Sequence, residues 1–229
     1  SSLWLLPFMQ DNVPYDPVRD FAPITLAGST PAILVVHPSL RVNSVKELVA
    51  LARAKPGALD YASASTGSAT HIASELLKSM AGVNIVRIPY KGTGQALTGL
   101  LGGQTHMMFS TLAPALPHVK SGRLVGLGVT SAEPSPLAPG VPTMAATGLP
   151  GFEATSTQGI FAPGRTSAAI VARLNQEIVR FLNRGEVKEK FLSVGTDVVA
   201  STPEQFAATI KSEMTRLGKA IKDAGIRAE

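Results

Sequence analysis

Short apolar runs alternate with stretches of helical periodicity along most of the chain. The strand-like runs occupy residues 32–36, 59–62, 84–88, 105–109 and 124–129. The first helical stretch between them starts at a capping-box pattern, Ser44 followed by Glu47. Such alternation is typical of βαβ units. We therefore predict five parallel strands with helices on both faces, which form a complete α/β lobe over residues 30–133.

The rest of the chain predicts part of a second lobe. Residues 133–151 contain five prolines and three glycines, which is typical of a connector. Beyond it the pattern predicts strands over residues 153–161 and 196–200, and helices from about residues 165, 186 and 202. The first of these helices has an apolar stripe that we expect to face inward: Ile170, Val171, Leu174, Ile178 and Phe181. The last helix has another: Phe206, Ile210, Met214, Leu217 and Ile221.

Two strands are too few for a sheet, so this lobe needs strands from elsewhere in the chain. Apolar residues 3–8 and 24–27 can supply them. The second lobe then consists of residues 1–29 and 134–229. Since two connections would join it to the lobe of residues 30–133, the sequence predicts a hinged cleft.

Composition narrows the classes of protein. The chain has 229 residues, of which 45% are hydrophobic and 16% charged, so it can form sizeable cores and is not disordered, collagen-like or coiled-coil. It contains no cysteine, which excludes disulfides, zinc–cysteine sites, iron–sulfur clusters and thiol catalysis. The apolar runs are strand-sized and too short to span a bilayer. No histidine or carboxylate pair has metal-ligand spacing, and we predict neither metal nor cofactor.

The net charge of +5 raises the question of nucleic-acid binding. Between residues 61 and 132 the only acidic residue is Glu75, against five cations: Lys78, Arg87, Lys91, Lys120 and Arg123. These cations form no basic stripe, and aromatic residues are too few for a stacking platform. We expect no nucleic-acid partner. A positive, acid-poor lobe instead favours a small anion.

Several ordered motifs extend this interpretation. They are YDPVRDFAPI at residues 15–24, SVKEL at 44–48, YASASTGSATH at 61–71, PYKG at 89–92, ALPH at 115–118, VPT at 141–143, GLPG at 148–151 and FAPG at 161–164. Together they resemble the Bug-type substrate-binding proteins, the extracytoplasmic receptors of tripartite tricarboxylate transporters. The resemblance covers essentially the whole chain, with its motifs in order.

The resemblance implies a type II periplasmic-binding-protein fold: an α/β protein with two lobes and a hinged cleft. It also implies a periplasmic receptor that closes on a small carboxylate or dicarboxylate and delivers it to a membrane permease. Family members carry about seventy further residues before the position of Ser1, so one lobe is expected to be incomplete. We therefore expect this chain to bind ligand weakly and to self-associate through apolar edges.

The strongest candidate for an anion site is the segment from Ser63 to His71, because a strand ends and a helix begins there. Hydroxyl donors are available from three residues: Ser65, Thr66 and Ser68. Gly67 lets the backbone approach a ligand closely, and His71 can present a donor one turn into the helix. The alternative is that these serine and threonine residues only cap the helix.

Further candidates follow other strands. Tyr90 and Lys91 offer a phenol and an ammonium group, although a lone loop lysine is more commonly plain surface. Ser110 and Thr111 follow the fourth strand of the lobe. Since the family often has Asp where Ser110 stands, its replacement is expected to shift preference away from ligands that carry an amino group. Ser29 lies where the chain crosses between lobes and can line the hinge.

An enzyme is the competing class of function. Ser68 and His71 are three residues apart and can be imagined as nucleophile and base of a hydrolase. The Gly-x-Ser-x-Gly elbow is absent, however, and no orienting Asp is apparent. We therefore predict a binding protein without catalytic residues. A ligand sensor that works without a transporter is a further alternative.

Overall fold

The computed structural model describes residues 1–227, which form a mixed α/β structure. The strands are β1 (Phe21–Thr30), β2 (Ala32–Val36), β3 (Asp60–Ser63), β4 (Val86–Pro89), β5 (Met107–Thr111), β6 (Val125–Val129), β7 (Ser156–Pro163) and β8 (Asp197–Val198). The α-helices are α1 (Ser2–Leu5), α2 (Val45–Ala54), α3 (Ala69–Ala81), α4 (Thr93–Leu101), α5 (Leu112–Lys120), α6 (Met144–Thr147), α7 (Ala168–Leu182), α8 (Gly185–Ser193) and α9 (Pro203–Asp223). Short 3-10 turns cover Leu6–Phe8 and Pro38–Leu40.

The chain divides into two compact units. The first unit consists of Ser1–Thr30 and the chain from Ser156 onward, and the second unit of Pro31–Thr155. Each has its own sheet.

The second unit is built on a five-stranded sheet in the order β4–β3–β5–β2–β6. Strand β3 runs parallel to β4 and β5, whereas β2 is antiparallel to both β5 and β6. The prediction of five parallel strands is therefore wrong for β2. All five residues of β2 are buried, and a strand buried on both faces has the same apolar pattern in either direction. The sequence of β2 therefore does not reveal that it runs antiparallel to its neighbours.

Helices cover this sheet on both faces. On one face Leu100 of α4 and Ala115 of α5 pack in a buried cluster with Ile33 of β2. Alternate strand residues point to the opposite face, where Tyr61 of β3 stacks on His71 of α3 with ring centroids 6.5 Å apart. The sheet is thus sandwiched between layers of helices.

The proline-rich segment after residue 133 packs with the second unit, which differs from the predicted boundary. The amide of Val129 donates to the carbonyl of Pro142 (2.8 Å), and the Phe152 ring stacks on that of Phe109 with centroids 6.0 Å apart. Met144 in this segment is completely buried. Prolines and glycines correctly indicated irregular backbone, but they gave no sign that buried apolar residues between them complete the core.

The first unit has a three-stranded sheet in which β1 is antiparallel to both β7 and β8. Residues 3–8 do not join it: they form α1 and a 3-10 turn, so the predicted strand there is wrong. The reason is the packing of Trp4, which is 2% exposed and lies edge-on to Phe206 of α9. Its indole Nε1 donates to a carboxylate oxygen of Glu213 on the same helix (2.8 Å).

The apolar stripe predicted for α7 faces the sheet only in part. Ile178 and Leu182 pack with Ala27 of β1 in a small cluster. In contrast, three residues of the predicted inward set are exposed: Ile170 (54%), Leu174 (39%) and Phe181 (50%). The apolar side of α7 is therefore only partly covered by the rest of the first unit.

Candidate functional site

Three helices begin at one edge of the sheet in the second unit. Because β3, β4 and β5 run in the same direction, their carboxyl ends share this edge. The N-caps of α3, α4 and α5 follow there: Ser68, Gly92 and Thr111. The first turn of a helix leaves backbone N–H groups without intrahelical partners and carries a partial positive charge. This edge of the sheet is therefore suited to an anion.

The loop of residues 64–68 connects β3 to α3 and carries most of the predicted donors. The side chains of Ser65 and Thr66 are exposed. Gly67 has φ = 72°, a left-handed conformation that favours glycine. The Ser68 hydroxyl accepts from the His71 amide (3.3 Å), so the capping role considered as the alternative is present at Ser68. Within residues 1–227 the amides of residues 69 and 70 have no hydrogen-bond partner and remain available.

His71 supports this loop from below. Its ring is 4% exposed, and Nδ1 accepts a hydrogen bond from the Gly67 amide (3.1 Å). Burial, reinforced by the positive charge of Arg87, lowers the pKa of His71 to about 4. The imidazole is therefore neutral near pH 7, as an acceptor at Nδ1 must be. The sequence predicted that His71 presents a donor to the ligand. Nδ1 accepts the loop amide and so is not that donor, and a role for the other ring nitrogen, which carries the proton, stays a prediction.

Tyr90 and Lys91, the two candidates that follow β4, differ in their surroundings. The ring of Tyr90 packs on the core beside α4. Its hydroxyl lies so close to Gly99 of that helix that a side chain there would collide with it, since a Cβ added to Gly99 would be 2.3 Å away. Lys91 is exposed and forms no ion pair with any described residue. Of the two, Lys91 has the freedom to meet an anion.

The remaining candidates lie at the end of β5 and in the first unit. Ser110 is fully buried, and its hydroxyl donates to the carbonyl of Thr111 (3.0 Å). The Thr111 side chain is exposed and does not cap α5. Ser29 lies in β1 opposite Thr157. It therefore belongs to the first unit, whereas the other nine candidates share the second unit. The assignment of all ten to a ligand site stays a prediction.

Arg87 is a residue of this edge that the sequence did not single out. It lies in β4 opposite Tyr61 of β3. Its Nη2 donates to the hydroxyl of Thr66 (3.1 Å), with a longer contact to the carbonyl of Ala64 (3.4 Å). The sequence feature that could have pointed to Arg87 is a cation inside a predicted strand of an acid-poor segment, two residues before the PYKG motif.

Comparison with known proteins identifies the family. The model of the tripartite tricarboxylate transporter family receptor matches residues 1–226. This chain belongs to that family. Its relatives include the UPF0065 protein in the tcbD-tcbE intergenic region of Pseudomonas sp. strain P51, 37% identical over 96% of this chain and 66% of the relative. BugT of Bordetella pertussis is 33% identical over 96% of this chain and 67% of its own length.

A solved structure that is similar to this chain supports the fold. Rpa4515 of R. palustris, solved with adipate, superposes with a TM-score of 0.74 at 32% identity and covers 99% of this chain and 76% of Rpa4515. The predicted resemblance to Bug-type proteins and the α/β, two-lobed fold class are thereby confirmed. The hinged cleft stays a prediction. The chain spans about two thirds of the length of the two relatives named above.

Proposed function

We propose that the intact protein is an extracytoplasmic receptor that captures a small carboxylate or dicarboxylate for a tripartite tricarboxylate transporter. The observation that carries this proposal is the convergence of three helix N-termini and exposed hydroxyls on one sheet edge of an acid-poor unit. Family membership and the adipate bound by Rpa4515 support the choice of carboxylate.

In this proposal backbone amides and hydroxyl groups replace the water around the carboxylate, and no chemistry follows. The 64–68 loop supplies Ser65 and Thr66, the start of α3 supplies free amides, and Lys91 and Thr111 approach from the neighbouring strand ends. Charge-assisted hydrogen bonds of this kind contribute about 1.5 to 3 kcal/mol each. A few of them suffice to hold a small dianion.

A hydrolase built on Ser68 and His71 is disfavoured by their bonding. The Ser68 hydroxyl contacts the His71 backbone amide and the Thr70 hydroxyl, while the imidazole Nδ1 is engaged by Gly67. Within residues 1–227 the imidazole makes no hydrogen bond to Ser68 that would let it act as a base. We therefore propose a receptor without catalytic activity.

We further propose that the receptor works in the periplasm and delivers its ligand to a membrane permease, as family membership suggests. Among the residues that the structure describes, no helix combines the length and apolar character needed to cross a bilayer. We also propose that the 229-residue chain self-associates, because the exposed apolar face of α7 favours contact with other molecules.

The proposal is tested by thermal shift and calorimetry on the intact protein with acetate, malate, adipate and citrate. We expect at least one di- or tricarboxylate to raise the melting temperature; ligand at 100 times its Kd adds about 2.7 kcal/mol to the free energy of unfolding. The double variant Ser65→Ala/Thr66→Ala should weaken that binding. Ser79→Ala, which alters an exposed serine near the other end of α3, is the matched control.

Two results would contradict the proposal. One is the absence of binding to all four carboxylates combined with binding of a sugar or a metal ion. The other is hydrolysis of a simple ester or amide by the intact protein that is lost in Ser68→Ala.

A further inference from the structure

Arg87 combines two features that are uncommon in one strand residue. It is half-buried at the interface between β4 and the 64–68 loop. Its guanidinium donates to the hydroxyl of Thr66 and lies within 3.4 Å of the carbonyl of Ala64, so that it contacts the loop at two points. Because arginine presents a planar fork of donors, two such contacts restrict the loop more than one contact from lysine would.

The charges around Arg87 do not neutralise it. Glu75, the nearest acidic residue along the sequence, already accepts a hydrogen bond from the Tyr61 hydroxyl (2.5 Å) and pairs with Lys78 (2.8 Å). Within residues 1–227 no carboxylate forms an ion pair with Arg87. Arg87 instead acts on His71, where its charge helps to lower the imidazole pKa. A guanidinium without a counter-charge therefore lies directly beneath the loop.

Two buried polar atoms at this place also have no partner. The Nε of Arg87 and the hydroxyl of Ser63, the last residue of β3, are fully shielded from solvent and make no hydrogen bond. The register pairs Tyr61 with Arg87 and Ser63 with the residue two positions further along β4, so both atoms belong to the sheet face under α3. Buried donors without acceptors and buried charge without counter-charge are both costly. An anion at the loop would offset part of the cost of the charge through Coulomb attraction.

We propose that Arg87 is the positioning residue of the anion site: it holds the 64–68 loop in its binding shape and supplies the uncompensated positive charge that favours a carboxylate. This inference rests on the proposed function, since it assumes that the loop binds the carboxylate. It adds a residue outside the candidates that motif and spacing pointed to. It also predicts that affinity depends on the number of negative charges on the ligand.

The test separates the charge of Arg87 from its geometry. Arg87→Gln removes both the charge and the fork, and Arg87→Lys keeps the charge. Arg53→Gln is the matched control, because Arg53 also donates from its guanidinium to a backbone carbonyl, that of Ala81 (2.8 and 3.2 Å), but at the far end of α3. Calorimetry on the intact proteins uses malate, adipate and citrate. Hydrogen exchange of the loop amides is measured without ligand on the 229-residue chain.

We expect Arg87→Gln to bind the carboxylates about ten-fold or more weakly, equivalent to about 1.4 kcal/mol, with Arg87→Lys intermediate and Arg53→Gln like the wild type. The hydrogen-bonded amides of the loop, those of Gly67 and Ser68, should exchange faster in Arg87→Gln than in Arg53→Gln at comparable melting temperature. Wild-type affinity and wild-type exchange in Arg87→Gln would overturn the inference while leaving the receptor function intact. If the wild type binds none of the carboxylates, the receptor function and the charge role both fail, and unchanged exchange then removes the loop role as well.

Discussion

At the scale of single residues, His71 connects the stability of the second unit to the shape of its candidate site. The ring is buried, stacks on Tyr61 and accepts the Gly67 amide at Nδ1. A protonated imidazole has donors on both nitrogens and can no longer accept that hydrogen bond. Protonation of His71 would therefore both place a charge near Arg87 and release the loop at Gly67.

This leads to a prediction about pH. The pKa of His71 is lowered from 6.5 to about 4 in the folded state, so the unfolded chain takes up a proton first as the pH falls. The free energy of unfolding should therefore decrease from about pH 6.5 down to about pH 4, by up to about 3 kcal/mol. In His71→Gln, which does not titrate, this part of the decrease should be lost. Denaturant unfolding at several pH values between 4 and 8 measures the difference.

The comparison of the two proteins at pH 8 serves as the control for this experiment. Both side chains are neutral there, so any difference in stability reports only the change of shape and hydrogen bonding. Equal losses of stability on acidification in wild type and His71→Gln would show that the buried imidazole does not govern the acid response.

The neighbours of His71 also show which parts of the site are readable from sequence. Gly67 and Ser68 were singled out from local sequence, as a point of close backbone approach and as a hydroxyl donor with helix capping as the alternative. The structure shows a left-handed Gly67 and a capping Ser68, both of which are local features. Arg87 was not, because its contact with Thr66 depends on the register between β3 and β4. Periodicity fixes which residues are buried but not which strand lies beside which.

At the scale of elements, α7 carries two parallel stripes of apolar residues, of which the sheet covers one. Asn175, Ile178 and Leu182 face β1, and the Asn175 amide donates to the carbonyls of Ile24 and Ser201 (2.8 and 2.9 Å). Residues 170, 174 and 181 lie on the adjacent stripe and are exposed. The prediction from sequence treated both stripes as one inward face, because helical periodicity does not show how much of a helix the neighbouring sheet covers.

The uncovered stripe predicts self-association of the 229-residue chain. Replacing Leu174 and Phe181 together by glutamine should lower the apparent mass in light scattering at high protein concentration. Stability should change by less than about 0.5 kcal/mol, because both side chains are already substantially exposed. Leu182→Gln is the matched control: this residue is 4% exposed, so its replacement should lower the melting temperature and leave the association in place. A monodisperse monomer in the unmodified chain would refute this prediction.

At the scale of the whole molecule, the second unit is continuous in sequence and its two ends meet at Thr130. The Ala32 amide donates to the Thr130 hydroxyl and the Thr130 amide to the Ala32 carbonyl, both at 2.8 Å. The Ala154 amide donates to the Thr130 carbonyl (3.0 Å). Entry and exit of the chain are thus fixed at the residue that directly follows β6. The first unit, in contrast, is assembled from two distant segments.

This arrangement predicts that residues 31–155 fold when they are expressed alone. The excised unit retains the complete five-stranded sheet, both helical layers and the ring stack of Phe109 with Phe152. We expect a cooperative thermal transition by circular dichroism. Residues 30–133, the lobe that the sequence predicts, lack Met144 and Phe152, which are 0% and 1% exposed in the chain. Loss of each such side chain typically costs about 2 to 5 kcal/mol.

The shorter segment should therefore melt at a much lower temperature or without cooperativity, and it should expose apolar surface to a hydrophobic dye. Equal melting temperatures for the two segments would instead support a domain boundary near residue 133, with the proline-rich stretch as a connector. Failure of the longer segment to fold would mean that the second unit depends on the first for its stability. Because Ser63, Arg87 and the 64–68 loop all lie inside the longer segment, its folding would also allow the candidate site to be studied without the rest of the protein.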